Sequence, residues 1–382
     1  MDPATGDAGY DVDALYTVVR SALALERGSA GPVPPSGLTG VHLRRAIMAN
    51  RLVPLLSPWA GALGLSDDDA AWLGDAQRHN TVRSLQAARQ AEAMQGRLAE
   101  MGVDSLILKG VPLSVRTTGT LAGRQYADID ILVALDALGR AERVLQESGV
   151  RHGGAVHDSP LRGPYHRWVR WTQNQQQHRP PGGHPVELHW RLFANARLLP
   201  LDFDTLWPAR SEVADGTVAF TTLGPAHELL FVAVHAAVHG FSRLHWLVDV
   251  VRLLRTTSED TWAEVTGEAA RTGATRGLAL ATRWADHLEP NRRRIAMPSR
   301  TRRRVTSLAR RVMPADQSMI RSMESLGVKV HLNSDVRYVA NQVARWAVPP
   351  GQLDSVGARP PLAFVYLPLR QVRILTDRFH AR

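Results

Sequence analysis

The sequence predicts an α+β protein, with a small mixed sheet set between an N-terminal helical region and a C-terminal, mainly helical domain. Three observations lead there. Residues 1–100 carry apolar residues at helical spacing and no strand pattern. Short apolar runs bounded by glycine and polar turns begin at Asp104. From Pro225 onward the spacing is helical again. At 382 residues the chain has length for more than one core. The shifts in pattern divide it into 1–100, 101–222 and 223–382.

Taken in order, Val12, Leu15, Val18, Val19, Leu23 and Leu25 share a helical face and predict a helix over 11–26. A second helix is expected over 41–56, and a long one over 67–101 that stops at Gly102. Residues 104–110 are a short apolar run closed by glycine, read as a buried strand, and 128–133 form another. A helix over 135–148 ends at Gly149. Residues 166–172 and 185–192 read as neighbouring strands joined by a mobile polar loop, 173–184. Helices are then expected over 227–239, 244–255 and 261–288.

Composition narrows the class. The 44% hydrophobic and 21% charged content suits a globular protein. The longest apolar runs, 229–234 and 362–369, fall far short of the roughly 20 residues that span a bilayer, so no membrane segment is expected. The acidic, small-residue start predicts no secretory leader and a cytoplasmic home. Without cysteine there is no disulfide framework and no thiolate metal site. Nearly all of the +10 charge sits in nine arginines between 292 and 311, with no acidic residue among them. Such a block invites a nucleic-acid reading. It lacks the interleaved aromatics on which single-strand binders stack bases, so specific nucleic-acid binding is not expected. Of 46 basic residues only Lys109 and Lys329 are lysine, and a lysine kept beside Gly110 hints at a need for a compact ammonium.

On a strand, residues i and i+2 point to one face, so Asp128 and Asp130 project together while Ile129 and Ile131 turn toward a core. Carboxylates so placed repel unless a cation neutralises them, and hard oxygen ligands suit Mg²⁺ or Mn²⁺. A solvated strand edge would explain the pair equally. Glu187 stands between Val186 and Leu188 on another expected strand, where burial would require a charged partner and strand alternation would equally let it face solvent. Three carboxylates on successive strands with a Lys-Gly turn make a more specific pattern than any one of them.

Leu108-Lys-Gly-Val-Pro-Leu113, Arg124-Gln-Tyr-Ala-Asp-Ile-Asp-Ile-Leu-Val133 and Val186-Glu-Leu-His-Trp-Arg-Leu192 together resemble an uncharacterised bacterial nucleotidyltransferase family of the polymerase-β-like superfamily. His235-Ala-Ala-Val-His239, followed by Arg243-Leu-His-Trp-Leu-Val-Asp249, is similar to that family's helical signature. The resemblance covers about residues 75–254. It implies that Asp128, Asp130 and Glu187 hold Mg²⁺ or Mn²⁺ as the catalytic and metal residues, with an NTP as co-substrate. Lys109, Gly110 and Arg124 would bind the nucleotide's phosphates, with His189 on the Glu187 face beside phosphate or acceptor. Val111 replaces the serine of the superfamily's Gly-Ser turn, which puts the phosphate side in question. The implied reaction moves a nucleoside monophosphate, AMP, to a hydroxyl of a small molecule, peptide or protein. Occurrence of the family in peptide natural-product clusters, lasso peptides included, suggests tailoring. The rival is a non-catalytic nucleotide- or RNA-binding protein on the same fold. His235 and His239 share a helix face and are expected to line a pocket or pack in the core rather than bind zinc. Trp168, Trp171 and Trp190 are candidates for stacking on a base, with core packing the commoner fate.

Overall fold

The computed structural model describes residues 11–31, 39–152, 170–216, 218–293, 295, 297–312, 327–333 and 335–347. Helix α1 (Val12–Glu26) starts at Asp11, whose carboxylate accepts from the Asp13 and Ala14 amides. The helical stretch expected over 41–56 is two helices, α2 (Gly40–Asn50) and α3 (Val53–Leu56), separated where Arg51 takes a φ of 54°. Helix α4 (Asp67–Glu100) begins at Ser66, carries three aspartates in its first turn, where the helix dipole favours them, and ends before left-handed Gly102.

The sheet comprises β1 (Ser105–Leu108), β2 (Ile129–Val133), β3 (Arg151–His152), β4 (Gln175–Arg179), β5 (Val186–His189), β6 (Ser211–Asp215) and β7 (Val218–Thr222), in the spatial order β3-β4-β5-β2-β1-β7-β6. Strand β2 runs antiparallel to β1 and parallel to β5, and β1 runs parallel to β7, so the sheet is mixed. Helices α5 (Gly110–Thr118) and α6 (Leu138–Glu147) follow β1 and β2.

The two sheet faces divide as alternation requires. Ile107, Ile129, Ile131, Val133, Val186 and Leu188 pack with Ala87, Ala88, Ala91 and Leu98 of α4. The small alanines let that helix lie close to the sheet. Leu106, Leu108 and Leu132 join a second cluster on the opposite face. That cluster includes α1–α3, the short α7 (Phe203–Leu206) between β5 and β6, and the helices after the sheet: α8 (Pro225–Val238), α9 (Leu244–Thr256), α10 (Glu259–Thr272) and α11 (Thr275–Leu288). Helices α12 (Ser299–Val312) and α13 (Val336–Ala347) follow. The architecture is α+β, as the sequence predicts. Among the described residues no helix is long and apolar enough to cross a membrane.

Three local differences have physical causes. The polar loop expected over 173–184 contains β4, whose Gln176 and His178 are buried while Gln175 and Gln177 are not. Backbone pairing with β5 supplies what apolar side chains would otherwise provide. The strand expected over 166–172 lies mostly outside the described residues, and its described end, 170–172, is helical. The β6–β7 hairpin was not foreseen, because β6 is an edge strand with no fully buried residue.

Candidate functional site

The turn after β1 is conformationally costly. Lys109 has φ 49° and Gly110 φ 48°, two successive residues in the left-handed region. A Cβ on Gly110 would meet nothing nearer than the Asp128 carbonyl oxygen at 3.9 Å, so backbone conformation rather than crowding calls for glycine. For Lys109 the same conformation is strain held by its surroundings. Its Nζ lies 3.2 Å from Asp130 Oδ1 and 5.8 Å from the Phe231 ring centroid. Helix α5 opens at this turn. Pro112 has no N–H, so Gly110 and Val111 are the backbone donors nearest the helix start.

Since Ile129, Ile131, Val186 and Leu188 face α4, strand alternation turns Asp128, Asp130, Glu187 and His189 to the other face. The parallel register sets Asp130 beside Glu187. His189 Nε2 lies 2.9 Å from Asp130 Oδ1 and 3.8 Å from Glu187 Oε2. Asn174 Nδ2 approaches His189 Nδ1 at 3.3 Å, so Nδ1 accepts and Nε2–H donates to Asp130. One ligand-type atom from each of Asp130, Glu187 and His189 lies within 4.8 Å of the others, a donor set able to hold a metal ion. Asp128 lines the same cleft but stands outside that close trio.

The electrostatics separate the two aspartates. Burial disfavours the Asp130 carboxylate, yet Lys109 and His189 outweigh it and hold the pKa below the usual carboxylate range. Burial and then the Asp130 charge push the Asp128 carboxyl up, with Lys109 opposing. Burial also works against a charged His189, but hydrogen bonds to Asp130 and Glu187 outweigh it and raise its pKa. Among the described residues no cation lies within ion-pair distance of Asp128. An added divalent cation would relieve the repulsion at that carboxylate, so this donor set fits a metal.

The cleft has a volume of about 530 Å³ and lies between the sheet and the helices. Phe193, Phe231, His235, His239 and Trp246 line its helical side, with Trp246 4.8 Å from the His239 ring and His235 4.5 Å from His239. Trp246 thus borders the cleft, whereas Trp190 is buried in the α4-side core and Trp168 lies outside the described residues. Arg124 borders the cleft but is held by Asp249 of α9, its Nε 3.0 and 2.9 Å from the two carboxylate oxygens. Both residues are buried. Three further cations at the cleft, Arg51, Arg243 and Lys329, were not singled out as site residues from the sequence. Lys329 carried a signal as the second of only two lysines, and Arg243 as the first residue of the helical signature.

A carboxylate-bearing sheet face thus stands beside a Lys-Gly turn at a helix start, and the family match makes the protein by class a transferase. The chain belongs to the uncharacterised nucleotidyltransferase family, whose profile matches residues 42–290. No curated protein matches it in sequence. Among solved structures it is similar to an antigenic nucleotidyltransferase-like protein from Paracoccidioides brasiliensis. That likeness has 15% identity and a TM-score of 0.33, over 54% of this chain and 93% of the other.

Proposed function

We propose that the protein transfers a nucleoside monophosphate from an NTP to a hydroxyl of a small-molecule, peptide or protein acceptor, using Mg²⁺ or Mn²⁺. AMP is the group implied by the family resemblance, and a peptide acceptor would suit tailoring of a product such as a lasso peptide. The observation that carries the reading is the parallel register of Asp130 with Glu187, which gathers acidic groups on the cleft-facing side of adjacent strands. Asp128, Asp130 and Glu187, with His189 beside them, would hold the metal. A metal so held supplies charge neutralisation at the phosphates and lowers the pKa of a coordinated hydroxyl.

In the reaction the acceptor oxygen bonds to the α-phosphorus. The bond from that phosphorus to the oxygen bridging toward the β-phosphorus breaks, and pyrophosphate leaves. Glu187, less buried than Asp130 and with no lysine or arginine within ion-pair distance among the described residues, takes the acceptor proton. Lys109 and the α5 start face the phosphates, and Trp246 borders the space for the base. Positioning and charge stabilisation account for most of the rate.

The test incubates the protein with each radiolabelled ribonucleoside triphosphate and Mg²⁺ or Mn²⁺. Pyrophosphate release and label transfer are then followed, with water as the default acceptor. Metal-dependent release from at least one nucleotide is expected. Saturable nucleotide binding with no release in either metal would make the protein a binding module instead.

A further inference from the structure

The two cations expected on the triphosphate are already engaged, Lys109 with Asp130 and Arg124 with Asp249. Three others line the same cleft and are not: Arg51, Arg243 and Lys329. Among the described residues no carboxylate lies within ion-pair distance of any of them. All three are partly buried. They come from separate places in the chain, Arg51 after α2, Arg243 before α9 and Lys329 in the helical turn at 327–329, and the tertiary fold brings them to the wall of one cleft.

Arg243 and Lys329 are each held by a neighbour, and Arg51 lies at a kink between helices. Arg51 sits at a φ of 54°, uncommon for a residue with a side chain. The Arg243 guanidinium lies 5.8 Å from the Trp246 ring centroid, a cation–π contact. Lys329 is anchored through its carbonyl, which accepts from the Tyr338 hydroxyl at 2.5 Å, and through its neighbour Val328, which is fully buried. The gathering has a cost. Burial, and then the charges of Arg243 and Arg124, bring the Arg51 pKa down to about 10. Burial and Arg345 lower that of Lys329. Asp128 and Asp249 offset part of this for Arg51, and an arriving anion would offset the rest.

We infer that Arg51, Arg243 and Lys329 form a polyphosphate subsite that takes the terminal phosphates of the nucleotide without needing the divalent metal. The inference rests on the proposed nucleotide chemistry for the identity of the anion. Two guanidiniums offer paired donors to phosphate oxygens, and the ammonium of Lys329 adds a compact charge. Three cations suit a multiply charged tail better than a single phosphate. An acceptor bearing a phosphate or carboxylate would use the same chemistry, and the experiment separates the two sources.

The probe is inorganic tripolyphosphate with EDTA present, followed by calorimetry and by melting temperature. Binding and a raised melting temperature are expected in wild type, with much weaker effects from orthophosphate. ATP should compete for tripolyphosphate, whereas AMP should not. Arg243→Gln, Lys329→Gln and Arg51→Asn should each weaken tripolyphosphate by at least ~10-fold, the loss expected for one charge-assisted hydrogen bond. Each variant alone should stay folded, with a melting temperature within a few degrees of wild type, because none of the three side chains makes an ion pair among the described residues. A distal control, Arg302→Ser with Arg303→Ser on α12, should bind as wild type does. Equal binding by the three cleft variants, or loss in the α12 control, would overturn the subsite. So would tripolyphosphate binding that ATP fails to displace, which would assign the cations to an anionic acceptor. Metal-dependent pyrophosphate release that persists without any tripolyphosphate binding would refute the subsite while leaving the proposed reaction standing.

Discussion

Lys109 concentrates the site's chemistry in one side chain: a strained backbone, an ammonium on Asp130, and a place at the start of α5. Arginine is longer, planar and more weakly hydrated, so it cannot set a compact charge at the same point. We expect Lys109→Arg to lower pyrophosphate release by at least ~10-fold while the protein stays folded, roughly the worth of one displaced charge contact. Initial rates and a melting curve check this, and an undiminished rate would assign Lys109 to structure alone. The carboxylates were legible in the sequence because Asp128, Asp130 and Glu187 interrupt apolar strand patterns, where a charge demands a reason. Arg51 was not, and Arg243 was visible only as the first residue of a helical signature, with no role at the cleft. They are two of 44 arginines (46 basic residues less two lysines), and their shared destination depends on long-range packing that local pattern does not encode. His189 was expected at the phosphate side or the acceptor. The structure sets it between Asp130 and Glu187, a contact visible only once β2 and β5 are in register.

At the scale of elements, the helices and the apolar strands were legible because each has a buried face with a clear period. Strands β4 and β6 were not, since one is glutamine-rich and the other lies at an exposed edge, held by backbone pairing. Helix α8 shows how an element carries a buried charge. Its first turn contains Glu228, 1% exposed, with Arg116 Nε at 3.0 Å. Burial outweighs the arginine and pushes the Glu228 carboxyl up to about 7, from an ordinary 4.5. A carboxyl whose folded pKa is raised adds stability that is fully present below about 4.5 and lost as pH rises through about 7. Glutamine cannot titrate. The melting temperature of Glu228→Gln minus that of wild type should therefore be more positive at pH 8 than at pH 5, by a few degrees. An identical difference at both pH values would show that Glu228 keeps its ordinary pKa behind the ion pair.

At the scale of the whole molecule, helices from both ends of the described chain share one apolar cluster, from Ala14 to Tyr338, laid against the sheet face that bears the acidic groups. The cleft lies where that packing meets the strand ends, so sheet and helices both contribute to its walls. A metal-centred reaction in this cleft makes opposite demands on folding and on turnover, and Asp128 separates them. In the free protein its carboxylate is crowded by Asp130 and Glu187 with no ion-pair partner among the described residues, so its charge costs stability. In turnover the same charge would help hold the metal that neutralises the phosphates. Asparagine keeps the volume and removes the charge. The decisive measurement is pyrophosphate release and melting temperature of wild type and Asp128→Asn, with Mg²⁺ or Mn²⁺ and the best nucleotide. Release should fall by roughly a hundredfold or more, while the metal-free melting temperature holds or rises. Wild-type release from Asp128→Asn, or a metal-free melting temperature many degrees lower, would contradict it.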